Sequence, residues 1–315
     1  MLGEVASWRP FWLRYLAASE GTRPAGLEIA LSRRFTQRPI APEEPPFAWA
    51  QPSSPALSPL LPLGLPLAWD AQPGRGVLLH PGTVDGMDEG ELLALAARGV
   101  VTDGEALRRL LERGMGQVLP VSARPADGRD ADVRFTDAAL NGPYAGRTIG
   151  LSSLSRVFPA YVLHPSTAET HVLGHYARSD GTLGGPATVA LETALGGRWV
   201  IFGNGCWDGA LTTAGRAQLL AAADWVSPDG LPVLLETPGQ VAVFPRSDQE
   251  GRVCSVLLLN CSLDATATLS LRVRQPRGCH ARWLAPQADA VDLPFSDALK
   301  LPALEAWHVG VLLFE

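Results

Sequence analysis

Apolar positions change their period along the chain, and each change predicts an element. Trp8, Phe11, Trp12, Tyr15 and Leu16 recur at helical spacing, which predicts an amphipathic helix with an aromatic face. GTRPAG breaks it, and LEIAL at 27–31 reads as a strand. The proline-dense stretch 39–66 cannot sustain regular structure and reads as a long excursion. VLLH at 77–80 and VVTD at 100–103 are short continuous apolar runs, the pattern of strands buried on both faces of a parallel sheet. Helices follow each: MDEGELLALAARG, acidic in its first turn, and GEALRRLLERG, with Asp103 as N-cap and Gly114 as C-cap. QVLPV reads as the next strand.

Strand, helix, strand, helix, strand predicts βαβ units and an open parallel sheet. Residues 123–165 have little periodicity and read as an irregular insertion. THVLGHYA, ATVALETA and RWVIFGNG then read as strands, and TTAGRAQLLAAADWV as the helix that closes an α/β domain. After SPDG the texture changes. LPVLLET, QVAVFPR, RVCSVLLLN, ATLSLRVR, ARWLAP and WHVGVLLF are short strands with no helix between them, the signature of a small antiparallel β-sandwich. The expected division is 1–227 for the α/β domain and 228–315 for the sandwich, with the boundary at Ser227–Leu231.

Composition agrees with two folded units. The chain has 315 residues, 46% of them hydrophobic and 18% charged, which is ample for burial. A net charge of −6 argues against nucleic acid as a partner, because neutralising phosphates requires a basic stripe. Lys300 is the lone lysine. The four cysteines form no C-x-x-C pair and read as reduced thiols in a cytoplasmic protein. Arg9 and Arg14 interrupt the apolar start, so it does not read as a secretory signal, and no apolar run reaches membrane-spanning length.

The segment THVLGHYARSDGTLGGPATVALETALGGRWVIFGNGCWD resembles the trimerisation domain of family 42 glycoside hydrolases, the bacterial β-galactosidases. The shared features are a strand, a polar turn, a Gly-Pro-Ala leading a second strand, and G-G-R-W-V-I-F-G as the third. The likeness extends back to HPGTVDGMDEGELLALAARGVVTDGEALRRLLERGMG and forward to SVLLLNCSLDATATLSLRV and LPALEAWHVGVLLFE. It implies a flavodoxin-type, class I glutamine-amidotransferase-like α/β domain followed by a terminal sandwich. It also implies catalytic glutamates in a preceding (β/α)₈ barrel, which takes about 250 residues of repeated βα units, a length of repeat not found in this sequence. The expectation is a non-catalytic C-terminal portion of a glycoside-hydrolase-like protein, without activity alone or a cofactor, serving oligomerisation or support of a barrel.

Individual residues carry the alternatives. Cys206 follows an apolar strand and precedes a helix, where an amidotransferase-type enzyme holds its nucleophile. However, Gly205-Cys206-Trp207-Asp208-Gly209 departs from the usual Gly-x-Cys-x-Gly elbow, and His280 and His308 lack a His-x-Glu context, so a packed thiol is the favoured reading. Asp103 and Glu105, with His80 and Asp85, follow strand ends, where open α/β sheets collect ligands. Helix capping is the competing role for Asp103 and Glu105. Glu169, His171 and His175 fall on one face of a strand with the histidines two pleats apart, poor spacing for zinc, and no metal is expected. Tyr144, in the rigid Gly-Pro-Tyr-Ala-Gly loop, is a candidate sugar contact. The nine tryptophans leave a carbohydrate-binding module open, with core or interface packing favoured. One such interface is the aromatic helix face against the absent barrel.

Overall fold

A computed structural model describes residues 7–30, 60–69, 75–127, 132–151, 159–205, 209–294 and 296–315. The chain divides into two compact units: 28–59 with 71–230, and 1–27 with 60–70 and 231–315. The N-terminal helix therefore groups with the C-terminal strands rather than with the α/β domain in which the sequence placed it.

The α/β unit is built on β2 (Leu27–Ile29), β4 (Val77–Leu78), β5 (Val100–Asp103) and β12 (Arg198–Phe202), which pair in that order and run parallel. Every residue of β5 is buried, as a central parallel strand requires. Beyond β12 the sheet turns antiparallel through β11 (Leu183–Glu192), β10 (His171–Ala177), β7 (Asp132–Phe135) and β8 (Thr148–Gly150). The sheet is thus mixed, and this corrects the expectation of a parallel sheet throughout. It does not close into a barrel.

Two further expectations change. The insertion at 123–165 contains β7, β8 and a separate antiparallel ribbon of β6 (Val121–Pro125) with β9 (Tyr161–Pro165). These strands have three to five residues, too few for a period to stand out. QVLPV does not supply the third parallel strand. Met115–Gln117 form a 3₁₀ turn and β6 pairs outside the sheet, while β12 takes the place beside β5.

The helices start where the caps predict. Counting α1 as the N-terminal helix (Arg9–Ser19), the α/β unit holds α2 (Pro81–Gly86), α3 (Glu89–Ala96), α4 (Gly104–Glu112) and α5 (Thr213–Val226). Asp88 and Glu91 close a capping box on α3, Asp103 caps α4, and Thr212 caps α5. Leu92, Leu107 and Leu110 from the helices pack with Val77, Val100, Trp199 and Ile201 from the sheet.

The second unit is a sandwich. One sheet runs in the order β1 (Arg23–Pro24), β14 (Val241–Ser247), β15 (Val253–Asn260), β20 (Val309–Phe314), β17 (Ala281–Leu284) and β18 (Val291–Leu293). The other runs β13 (Val233–Leu235), β16 (Leu269–Val273) and β19 (Leu299–Leu301), and the short β3 (Leu67–Ala68) also falls in residues 60–70. All pairings within these two sheets are antiparallel. Val243, Val256, Leu271, Trp283, Leu301, Leu312 and Phe314 fill the space between them.

Strand β20 explains the helix α1. VGVLLF is buried at every position although antiparallel strands usually alternate. Leu312 and Phe314 point into the sandwich core, whereas Val309, Val311 and Leu313 face the other way. There they meet Phe11, Trp8, Trp12 and Tyr15, the aromatic face of α1. The face considered for a barrel contact is therefore used on the chain's own sheet. Among the described residues, no helix is long and apolar enough to cross a membrane.

Candidate functional site

Parallel strands present their carboxyl ends at one edge, and three sequence candidates gather there. His80 follows β4, Asp103 ends β5, and Glu105 lies in the first turn of α4. Gly203 follows β12 at the same edge. In an open α/β sheet this edge is the crevice for ligands.

Here the chain fills it. Tyr161 at the start of β9 donates its backbone N–H to the Gly203 carbonyl at 2.7 Å, and Gly203 donates to Ala187 at 2.6 Å. The buried Tyr176 hydroxyl donates to the Tyr161 carbonyl at 3.2 Å. The approach is so close that a Cβ on Gly104 would sit 2.7 Å from the Gly203 carbonyl and from the Tyr161 ring. A Cβ on Gly203 would sit 2.1 Å from the Tyr161 carbonyl oxygen. Glycine at both places is a packing requirement.

Glu105 is answered from three sides. Its Oε2 accepts from the Tyr161 hydroxyl at 2.6 Å and from Arg108 Nε at 3.0 Å. Its Oε1 accepts from Arg108 at 2.7 Å and from Arg109 Nε at 2.9 Å. Burial raises its pKa, but the hydrogen bonds from Arg108, Tyr161 and Arg109 outweigh it and hold the carboxyl at about 2. Burial, followed by the hydrogen bond to Glu105, pushes the Tyr161 hydroxyl up to about 12. Arg109 also pairs with Asp85, and Arg113 donates to the Val84 and Met87 carbonyls, which ties α4 to α2.

Asp103 is buried, and its Oδ1 accepts from the Ala106 N–H at 2.8 Å. Burial lifts its pKa to about 7 against that bond, with the Glu105 charge adding to the rise. His80 accepts from the Gly82 N–H through Nδ1 at 3.1 Å, and burial followed by the Arg109 charge lowers its pKa to about 4. It is a neutral cap on α2.

Two neighbouring carboxyl groups with pKa values pushed apart are the electrostatic pattern of an acid–base pair. Here both are engaged by the chain itself: the acceptor positions of Glu105 are taken by Tyr161, Arg108 and Arg109, and Asp103 is 4% exposed and accepts from the Ala106 N–H.

The remaining candidates lie elsewhere. Tyr144 ends a 3₁₀ segment at Ala139–Tyr144, packs partly buried against the cluster that includes Val133 and Phe135, and has the Arg147 guanidinium 6.0 Å from its ring centre. His171 and His175 lie on β10, whose pairing with β11 is interrupted by bulges between them. Among the described residues, no group of three or more His, Cys, Asp or Glu is placed to hold a metal ion. Cys206 lies outside the described residues.

No protein-family model and no curated protein matches this chain. Among solved structures, it is similar to an alpha-L-fucosidase. That protein is isoenzyme 2 from Paenibacillus thiaminolyticus, a glycoside hydrolase, with a TM-score of 0.57 at 13% sequence identity. The match covers 96% of this chain and 51% of the fucosidase, so the chain spans about half of its length. The likeness is one of fold, and it takes in both units.

Arg108, Arg109 and Tyr161 are the site residues that the sequence reading did not single out. The arginines were available: three and four residues after Glu105 they share its helix face. Tyr161 is 56 residues away, within the stretch read as irregular, and carried no local signal.

Proposed function

We propose that this chain is an accessory, non-catalytic part of a glycoside-hydrolase-like protein, of the kind that family 42 enzymes carry after their barrel. The α/β unit supports oligomerisation or borders the active site of a (β/α)₈ barrel outside these residues, and the sandwich stabilises the assembly. The observation that carries this reading is the saturation of Glu105 by Tyr161, Arg108 and Arg109. A carboxylate held at about 2 is no proton donor at neutral pH, and hydrogen bonds to both of its oxygens favour a structural anion. The likeness in fold to half of a fucosidase supports the same reading.

The test is hydrolysis of nitrophenyl α-L-fucoside and nitrophenyl β-D-galactoside by the purified chain. The expected rate equals that of buffer. Turnover that disappears in Asp103→Asn or Glu105→Gln overturns the proposal.

A further inference from the structure

Strand β12 pairs parallel with β5 and antiparallel with β11. Beside that change of direction three polar side chains are buried together. Thr188 on β11 lies opposite Phe202 on β12, Asn204 follows two residues after Phe202, and Gln218 comes from the second turn of α5. They are 1%, 5% and 3% exposed. All three line one small cavity, whose other walls include Val133, Ile149, Leu151 and Phe202. The surroundings are tightly packed: a Cβ on Gly215, also in the wall, would sit 1.9 Å from the Gly209 carbonyl oxygen.

Hydrogen bonds decide which atoms of these side chains are left over. Asn141 Nδ2 donates to the Thr136 and Leu173 carbonyls at 2.9 and 2.8 Å, so its Oδ1 is the atom that accepts from Gln218 Nε2 at 2.7 Å. Gln218 therefore keeps its nitrogen on Asn141, and its Oε1 remains. Asn204 Nδ2 donates to the Gly205 carbonyl at 3.1 Å, a group that can only accept, and its Oδ1 remains. Among the described residues, neither of these oxygens nor the Thr188 hydroxyl has a hydrogen-bond partner. Polar atoms this deep in a fold cost stability when unpaired, and most are paired.

Space and chemistry together select the ligand. The cavity measures about 10 Å³, room for a single water molecule. Two amide oxygens oppose an anion. A cation is opposed by the positive end of α5, whose first turn has no acidic residue, and by Arg216, 6% exposed in that turn. What fits is a small neutral molecule that donates twice and accepts once. We propose that this cavity binds one water molecule, which donates to Gln218 Oε1 and Asn204 Oδ1, accepts from the Thr188 hydroxyl, and so fastens α5 to β11 and β12. Three hydrogen bonds are the usual complement of a buried water. The inference concerns the α/β unit alone and does not depend on the accessory role.

The experiment is magnetic relaxation dispersion of water, with urea unfolding, on the full chain and on Thr188→Val and Thr188→Ser. Valine keeps the shape of threonine and removes the hydroxyl. The parent is expected to hold one more long-lived water than Thr188→Val, and Thr188→Ser to restore it. The urea midpoint is expected to fall in Thr188→Val. An equal number of long-lived waters in the parent and Thr188→Val overturns the proposal. So does a Thr188→Val midpoint at or above that of the parent, the result of exchanging an unpaired hydroxyl for a methyl group. Stability that rises in KCl but not in choline chloride at the same ionic strength assigns the cavity to a cation and overturns it as well. A high-resolution crystal structure of the parent is the check that needs no variant. Density for one water within hydrogen-bond distance of all three oxygens is expected, and its absence overturns the proposal.

Discussion

The strand-end cluster and a sandwich cavity lined in part by Trp283, Asp289, Glu305 and His308 both gather aromatic and acidic residues, and they treat them in opposite ways. At the strand ends every candidate is answered by its own chain: Glu105 by Tyr161 and two arginines, Asp103 by the N–H of Ala106, and His80 by the N–H of Gly82. In the sandwich, the cavity side chains of Asp289 and Glu305 have no such partner among the described side chains, and elsewhere on its surface the exposed Trp307 is held at a backbone angle that costs energy. Perturbed pKa values alone would have picked the first as the functional site. Satisfaction of hydrogen bonds reverses that choice. A group that its own fold saturates is part of the fold, and one that the fold leaves open at a cost in strain is available for something else.

The contrast can be broken most forcefully at Gly203. Gly203→Ala drives a methyl group into the Tyr161 carbonyl, and a loss of about 3 kcal/mol is expected in urea unfolding. A neutral result would mean that the strand end has the room of a pocket.

Asp103 tests the same region through pH. The folded chain holds the Asp103 proton up to about 7, whereas the unfolded chain releases it near 3.8, so between those values the folded state binds more protons. Its contribution to stability is full below about 3.8 and is lost as the pH rises through 7. His80 runs the other way: its folded pKa of about 4 lies below the ordinary 6.5, so its contribution is present above 6.5 and lost as the pH falls through 4. Asp103→Asn keeps a capping side chain and removes the first titration. The variant should gain on the parent by a few kcal/mol between pH 4 and pH 7, with the His80 slope left exposed. Stability measured across that range checks it, and a constant difference would refute the burial of an ionisable Asp103.

At Trp307, in the sandwich unit, the expected sign is reversed. Trp307→Gly releases the left-handed strain and should raise stability by about 0.5–1 kcal/mol, net of the flexibility that glycine adds. A clear loss in thermal unfolding would show that the indole packs rather than presents.

Much of the fold was legible because its signals are local. The strands 77–80 and 100–103, the cap at Asp103 and the six sandwich strands follow from apolar runs and turn residues. The aromatic spacing of α1 was equally plain, but its destination was not, since only β20 with both faces apolar says that the helix covers a sheet. The antiparallel half of the mixed sheet and the ribbon of β6 with β9 were hidden by strands too short to show a period. For the site, the sequence placed His80, Asp103 and Glu105 at strand ends. It could not place Tyr161, whose hydroxyl turns those residues from a candidate pair into a closed network. Nor could it mark Trp307 among nine tryptophans, because exposure and φ are properties of the folded chain.

The stability of Glu105→Gln at neutral pH separates a structural anion from a catalytic carboxylate. Removing a carboxylate from a working active site commonly raises stability, because such sites hold charge at a cost. Removing one that its own fold has saturated lowers it. Urea unfolding is expected to find Glu105→Gln less stable than the parent by about 1–2 kcal/mol, a figure reduced by the partial exposure of the ion pairs. A variant as stable as the parent or more stable would contradict it, and would return the strand-end carboxylates to chemistry.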